Sequence, residues 1–73
     1  MAAPRTRTPE RERKVIELVA AGKFNAEIAH EVGITGTQAV YDVVCVMKAW
    51  GARNRVELAL MHHGVIEKRK PRL

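Results

Sequence analysis

The side chains best placed to do chemistry lie on one stretch, from Thr35 to Lys48. Thr37, Gln38, Val40, Tyr41, Val44, Cys45 and Lys48 recur at spacings that gather side chains on one side of a helix, and Thr35 stands just before them. Their chemistry is contact chemistry. Against a DNA duplex, Gln38 would pair with an adenine edge, Val40 or Val44 would touch a thymine methyl, and Thr37 and Tyr41 would reach a phosphate. A second reading stands beside the first. Val40, Tyr41, Val44 and Cys45 fall at i, i+1, i+4 and i+5, so they form one apolar patch suited to a protein partner. A third is that these residues pack locally.

Covalent and metal chemistry find little footing. The chain has no serine, one cysteine and three histidines. His62 and His63 are adjacent, so on a helix they point about 100° apart, and His30 is remote in sequence. No metal site and no cofactor are expected. Cys45 has only Lys48 as a basic neighbour within a helical turn, so an inert thiol is expected. The acids are spread over polar helix faces, and there is no glycine-rich phosphate loop. A chain of 73 residues has little room for a concave substrate pocket. An enzyme is not expected, nor a small-molecule ligand.

Size and charge narrow the class further. Seventy-three residues make one small domain, whose core supplies roughly 3–5 kcal/mol of stability. A single cysteine excludes an internal disulfide and fits a reducing compartment. No long apolar run marks a signal peptide or membrane span, so a cytoplasmic protein is expected. The net charge is +5, but it is unevenly placed. Residues 1–7 carry Arg5 and Arg7, and residues 67–73 carry Lys68, Arg69, Lys70 and Arg72 against Glu67. Residues 8–66 hold seven basic and seven acidic side chains and are neutral. The sequence therefore predicts a flexible basic arm (1–7), a folded domain (8–66) and a basic C-terminal tail (67–73). Such arms track phosphates or simply keep a small protein soluble.

The elements that must position the 35–48 face are four helices. Thr8 caps the first and Pro9 takes its first position. Val15, Ile16, Leu18 and Val19 form its apolar stripe, and Gly22 ends it. Asn25 is expected to cap the second, which carries Ile28, Ala29 and Val32 and stops at Gly33. Thr35 caps the third, which runs to about Trp50. There Ala39, Val43, Val46, Met47 and Trp50 face inward, and Trp50 anchors the core. Gly51 stops that helix. The fourth starts near Arg53 or Asn54 and carries Val56, Leu58, Ala59, Leu60 and Met61 before Gly64. Val65 and Ile66 are expected to fold back on the core. No strand alternation or internal repeat is present.

The run Asn25-Ala26-Glu27-Ile28-Ala29 with Val32-Gly33-Ile34-Thr35 resembles the second helix and turn of the LuxR-type (GerE-like) DNA-binding domain. Arg11-Glu12-Arg13 with Val15-Ile16 and Val19-Ala20-Ala21-Gly22 is similar to that family's first helix. Gly51-Ala52-Arg53-Asn54-Arg55-Val56-Glu57-Leu58 is similar to its junction into the fourth. The resemblance covers residues 11 to 66. It implies an all-α, compact four-helix helix-turn-helix domain, here with basic flexible tails. It also implies a free-standing transcriptional regulator that binds double-stranded DNA with its third helix in the major groove. The alternative is a helix-turn-helix module repurposed to bind a protein partner through the apolar face of that helix.

The resemblance implies further roles. Arg53 and Arg55 would clamp phosphates beside the third helix; the competing reading is a solvated pair, or a salt bridge from one of them to Glu12. Glu12 would be a structural acid fixing the first helix. The exposed face of the fourth helix, with Glu57, Leu60, Met61 and His62, would form a homodimer contact. The third helix departs from the family pattern. Where the family usually reads Lys-Thr-Val-Lys-x-His, this chain has Thr37-Gln38-Ala39-Val40-Tyr41-Asp42. Valines stand at Val40 and Val44 where basic residues are common, and Asp42 is expected to place a negative charge beside the phosphates.

Overall fold

The computed structural model describes residues 8–69. Four helices fill most of that span: α1 (Pro9–Ala20), α2 (Asn25–Val32), α3 (Gly36–Trp50) and α4 (Arg55–His62). No strand occurs among the described residues. α1 is the central element and packs against α2, α3 and α4, while α2 lies on α3.

Each helix begins where the sequence offers a cap. The Thr8 hydroxyl accepts from the Arg11 N–H at 3.1 Å, with Pro9 at the first helical position and Glu10 and Glu12 in the first turn. Thr35 accepts from the Gln38 N–H at 3.1 Å, and Gln38 Oε1 accepts from the Thr35 N–H at 3.1 Å, a reciprocal capping box. Asn54 Oδ1 accepts from the Glu57 N–H at 2.8 Å. α2 differs from expectation. Its N-cap is Phe24, whose N–H donates to Glu27 Oε1 at 3.0 Å, and Asn25 is the first helical residue. Asn25 is thereby released for a different task, described below.

The helix ends are equally local. Gly33 adopts φ +81°, and the Ile34 N–H reaches back to the Ala29 carbonyl at 3.0 Å. This left-handed residue reverses the chain, so only three residues separate α2 from α3. Gly51 repeats the device at φ +70°, with the Ala52 N–H donating to the Met47 carbonyl at 2.8 Å.

The core gathers Val15, Ile16, Leu18 and Val19 of α1 with Ile28, Ala29, Ala39, Val43, Val46, Leu58 and Met61. Their 3–4 spacing on each helix produces one apolar stripe per element, and the stripes converge. Three apolar residues lie at the edge of the core or outside it. Trp50 is half-buried at the rim, with the Lys68 ammonium 3.9 Å from its ring centre. Val56 is exposed, because Leu58 and Met61 set the inward phase of α4 and Val56 falls outside it. Val65 is exposed too, and only Ile66 packs on the core.

The segment expected to leave the domain at residue 67 stays on it through Arg69. The Arg69 N–H donates to the Trp50 carbonyl at 2.9 Å, and its guanidinium donates to the Gly51 carbonyl at 3.1 Å. These bonds satisfy carbonyls that the end of α3 leaves open. The expected 1–7 arm and residues 70–73 lie outside the described residues.

Candidate nucleic-acid interface

The α2–Gly33–α3 corner holds α3 with one side on the core and one side open. Ala39, Asp42, Val43 and Val46 are buried. Thr37, Val40, Tyr41, Val44 and Lys48 are exposed, at 46% for Val40, 64% for Tyr41 and 37% for Val44. The structure therefore brings these five together on one surface. Cys45 is half-buried at its edge.

Asp42 is the main correction to the sequence reading. Its carboxylate does not face outward. Oδ2 accepts from Arg11 Nε at 2.7 Å, with side-chain exposures of 3% for Asp42 and 9% for Arg11. The pair pins the start of α1 to the middle of α3. Its physical reason is helical phase: Asp42 lies three residues after Ala39 and one before Val43, inside the inward stripe. A carboxylate in that stripe must be paired, and Arg11 supplies the charge. The only acidic residue of α3 is thus withdrawn from the open surface.

Gln38 is corrected as well. It is half-buried, and its Oε1 is engaged in the α3 cap. Bidentate pairing with adenine needs both the oxygen and the nitrogen of the amide. While the cap holds, Oε1 is turned to the Thr35 N–H, so the amide is not free to present both atoms in the geometry an adenine edge requires. The Thr35 hydroxyl oxygen likewise accepts within the cap, which leaves its proton to donate.

Of the expected arginine clamp, Arg55 is engaged in holding the fold, while Arg53 makes a surface pair with its side chain 68% exposed. Arg55 donates to Asn25 Oδ1 and, at 2.6 Å, to the Lys23 carbonyl. It thereby ties the start of α4 to the start of α2. Arg53 Nη2 lies 3.0 Å from Glu57 Oε2, and the Arg53 N–H donates to Glu57 Oε1 at 2.8 Å. Both arginines thus find partners other than Glu12.

Glu57 is the hub of this corner. Arg69 approaches Glu57 Oε1 at 2.6 Å from the other side. Hydrogen bonding from Arg69, then from the Arg53 backbone and guanidinium, lowers the Glu57 carboxyl from its ordinary 4.5 to about 2. Glu57 was expected on a dimer face; it is instead occupied within its own chain. Met61, expected on the same face, is buried. Leu60 is half-buried and His62 is exposed. A different apolar surface lies nearby, where exposed Phe24 and Val56 flank a shallow groove floored by Val19, Ala59 and Leu60.

The His62 and His63 rings pack edge to face with centres 5.2 Å apart. Among the described residues no cluster of three His, Cys, Asp or Glu side chains could hold a metal ion. No helix of the described residues is long and apolar enough to cross a membrane.

Four short helices, a glycine turn between the second and third, and an open face on the third define a helix-turn-helix domain. The sequence matches the family described as bacterial regulatory proteins, luxR family (GerE), over residues 9–62, from the first residue of α1 to the last of α4. The chain belongs to this family of DNA-binding transcription regulators. Comparison with curated proteins and with solved structures yields no match.

Proposed function

We propose that this domain regulates transcription by laying α3 in the major groove of double-stranded DNA. One observation carries the reading. The outward face of α3, with Thr37, Val40, Tyr41, Val44 and Lys48, is open and free of carboxylate because Asp42 turns inward to Arg11. An acidic side chain on that face would meet phosphates at a cost; none is there. Thr37 and Lys48 serve as phosphate contacts at the two ends of the strip, and Thr35 donates from the cap.

The exposure of Val40, Tyr41 and Val44 favours a second reading, a protein partner seated on the same strip with Cys45 at its edge. One double substitution separates the two. Val40→Lys with Val44→Lys adds two cations beside the phosphates. DNA affinity should rise, and the slope of log K against log salt should steepen by about two units. Against a protein partner, the same lysines bury unpaired charge and abolish the complex. Fluorescence anisotropy over a salt series measures the first outcome. A shallower slope or weaker binding would reject the placement of α3.

A further inference from the structure

We infer that α3 reads the C5-methyl groups of pyrimidines, so that target choice rests on apolar contact instead of hydrogen bonds; this builds on the proposed seating of α3 in the major groove. The inference comes from asking which groups on α3 can still recognise a base edge. A carboxylate would accept from cytosine N4, but Asp42 is buried against Arg11. A glutamine would bind adenine through both amide atoms, but the cap fixes the Gln38 amide with Oε1 turned to the Thr35 N–H. An arginine or lysine would bind guanine, but α3 contains no arginine, its Lys48 stands at the end of the strip where the proposed seating puts a phosphate, and Arg53 and Arg55 are engaged with Glu57, Asn25 and the Lys23 carbonyl. The centre of the open face is left with Val40, Tyr41 and Val44.

Valine has no donor or acceptor. Set against guanine, adenine or the cytosine amine, it would strip water from those groups and return nothing. One major-groove feature suits it, the methyl group at pyrimidine C5. The spacing is suitable too. Val40 and Val44 are four residues apart, a rise of about 6 Å along the helix axis. Stacked base pairs are about 3.4 Å apart. The two valines therefore address methyl groups roughly two base-pair steps apart, with the Tyr41 ring beside them.

Thymine and 5-methylcytosine both carry that methyl, and the test distinguishes them. Binding is measured by anisotropy at low salt, where phosphate contacts hold any duplex. The probes are a short alternating d(A–T) duplex, the same duplex with deoxyuridine for thymidine, an alternating d(G–C) duplex and its 5-methylcytosine counterpart. The full chain is compared with a Val40→Ala/Val44→Ala variant. Alanine at these exposed positions favours the helix, and circular dichroism checks that the variant is folded.

The expected preference for thymine over uracil is about fourfold per methyl contacted and about fifteenfold for two. The double alanine variant should bind the uracil duplex as the parent does and lose that preference. A gain on methylated over plain d(G–C) extends the contact to 5-methylcytosine, and no gain confines it to thymine; either upholds methyl reading. Equal affinity for the thymine and uracil duplexes overturns the inference while leaving DNA binding by α3 intact. So does a preference that survives in the alanine variant. Failure to bind any duplex overturns both and assigns the strip to a protein partner.

Discussion

Removing the Asp42 carboxylate is the sharpest perturbation the fold allows. Asp42 and Arg11 meet at 2.7 Å with side chains 3% and 9% exposed, far from water's screening. Asp42→Ala leaves the Arg11 charge in that position without its carboxylate. Breaking one side of a buried pair costs about 3–5 kcal/mol. Arg11 lies in the first turn of α1, where Glu10 and Arg13 are exposed and water can approach, so the lower end, about 3 kcal/mol, is the expected loss. The core of so small a domain supplies only roughly 3–5 kcal/mol, so the variant should sit close to its unfolding midpoint at room temperature.

Urea titration followed by far-ultraviolet circular dichroism measures this directly. In thermal melts, a loss of 3 kcal/mol corresponds to a fall in Tm of about 12–24 °C for a domain of this size. Arg11→Met with Asp42→Leu replaces the pair by apolar groups and should cost less than either single change, because no charge is left buried. The double-mutant cycle would then show strong coupling. Single variants within about 0.5 kcal/mol of the parent, with additive effects, would refute a buried pair. DNA binding gives a second check. In the folded protein, Asp42→Ala should leave affinity unchanged. Tighter binding would mean that the carboxylate faces phosphates after all.

Two further outcomes follow from the α3–α4 corner. Glu57 titrates near 2 in the folded chain against an ordinary 4.5. Its contribution to stability is complete above about 4.5 and is lost as pH falls toward 2. Arg69→Ala removes the largest cause of that shift and should move the acid-unfolding limb upward toward the ordinary carboxylate range; an unmoved acid midpoint by circular dichroism would refute the contact. Trp50→Ala should cost about 2 kcal/mol, below the roughly 3–5 of a fully buried aromatic, because the indole is half-buried and covered partly by Lys68. Urea titration checks it, and a loss above 4 kcal/mol would mean that the ring belongs to the core.

The helices were legible because their signals are local. Thr8-Pro9, Gly33-Ile34-Thr35 and Asn54 each specify a helix boundary within four residues, and the structure places caps and left-handed glycines there. Asp42 was half legible. Ala39, Val43 and Val46 set the phase of α3, and that phase alone puts residue 42 inside. What no local pattern contains is the partner, since Arg11 lies 31 residues away. The same holds for Arg55 with Asn25, 30 residues apart, and for Arg69 with Gly51, 18 apart. Charged residues were assigned to solvent or phosphate by type, and long-range pairing decided otherwise. Phe24 at the α2 cap was missed for a related reason: the Glu27 side chain supplies half of a capping box without a capping residue at position 24.

This pairing has a consequence for how such a domain would hold DNA. Of the seven basic side chains of residues 8–66, four, Arg11, Lys23, Arg53 and Arg55, are paired within the domain. Arg11, Arg53 and Arg55 are all committed to Asp42, Glu57 or α2, leaving Lys48 as the basic residue on α3 itself. Under the proposed function, the domain alone would make few phosphate contacts and bind with a shallow salt dependence. Arg5 and Arg7 before it, and Lys70 and Arg72 after it, carry positive charge that no acidic residue of 1–7 or 70–73 offsets. Phosphate attraction would then come chiefly from those ends, which are blind to sequence. Discrimination would come from Val40, Tyr41 and Val44, which contribute no charge. Affinity and specificity would thus reside in different parts of the chain: salt should weaken binding without altering the preference for methylated pyrimidines.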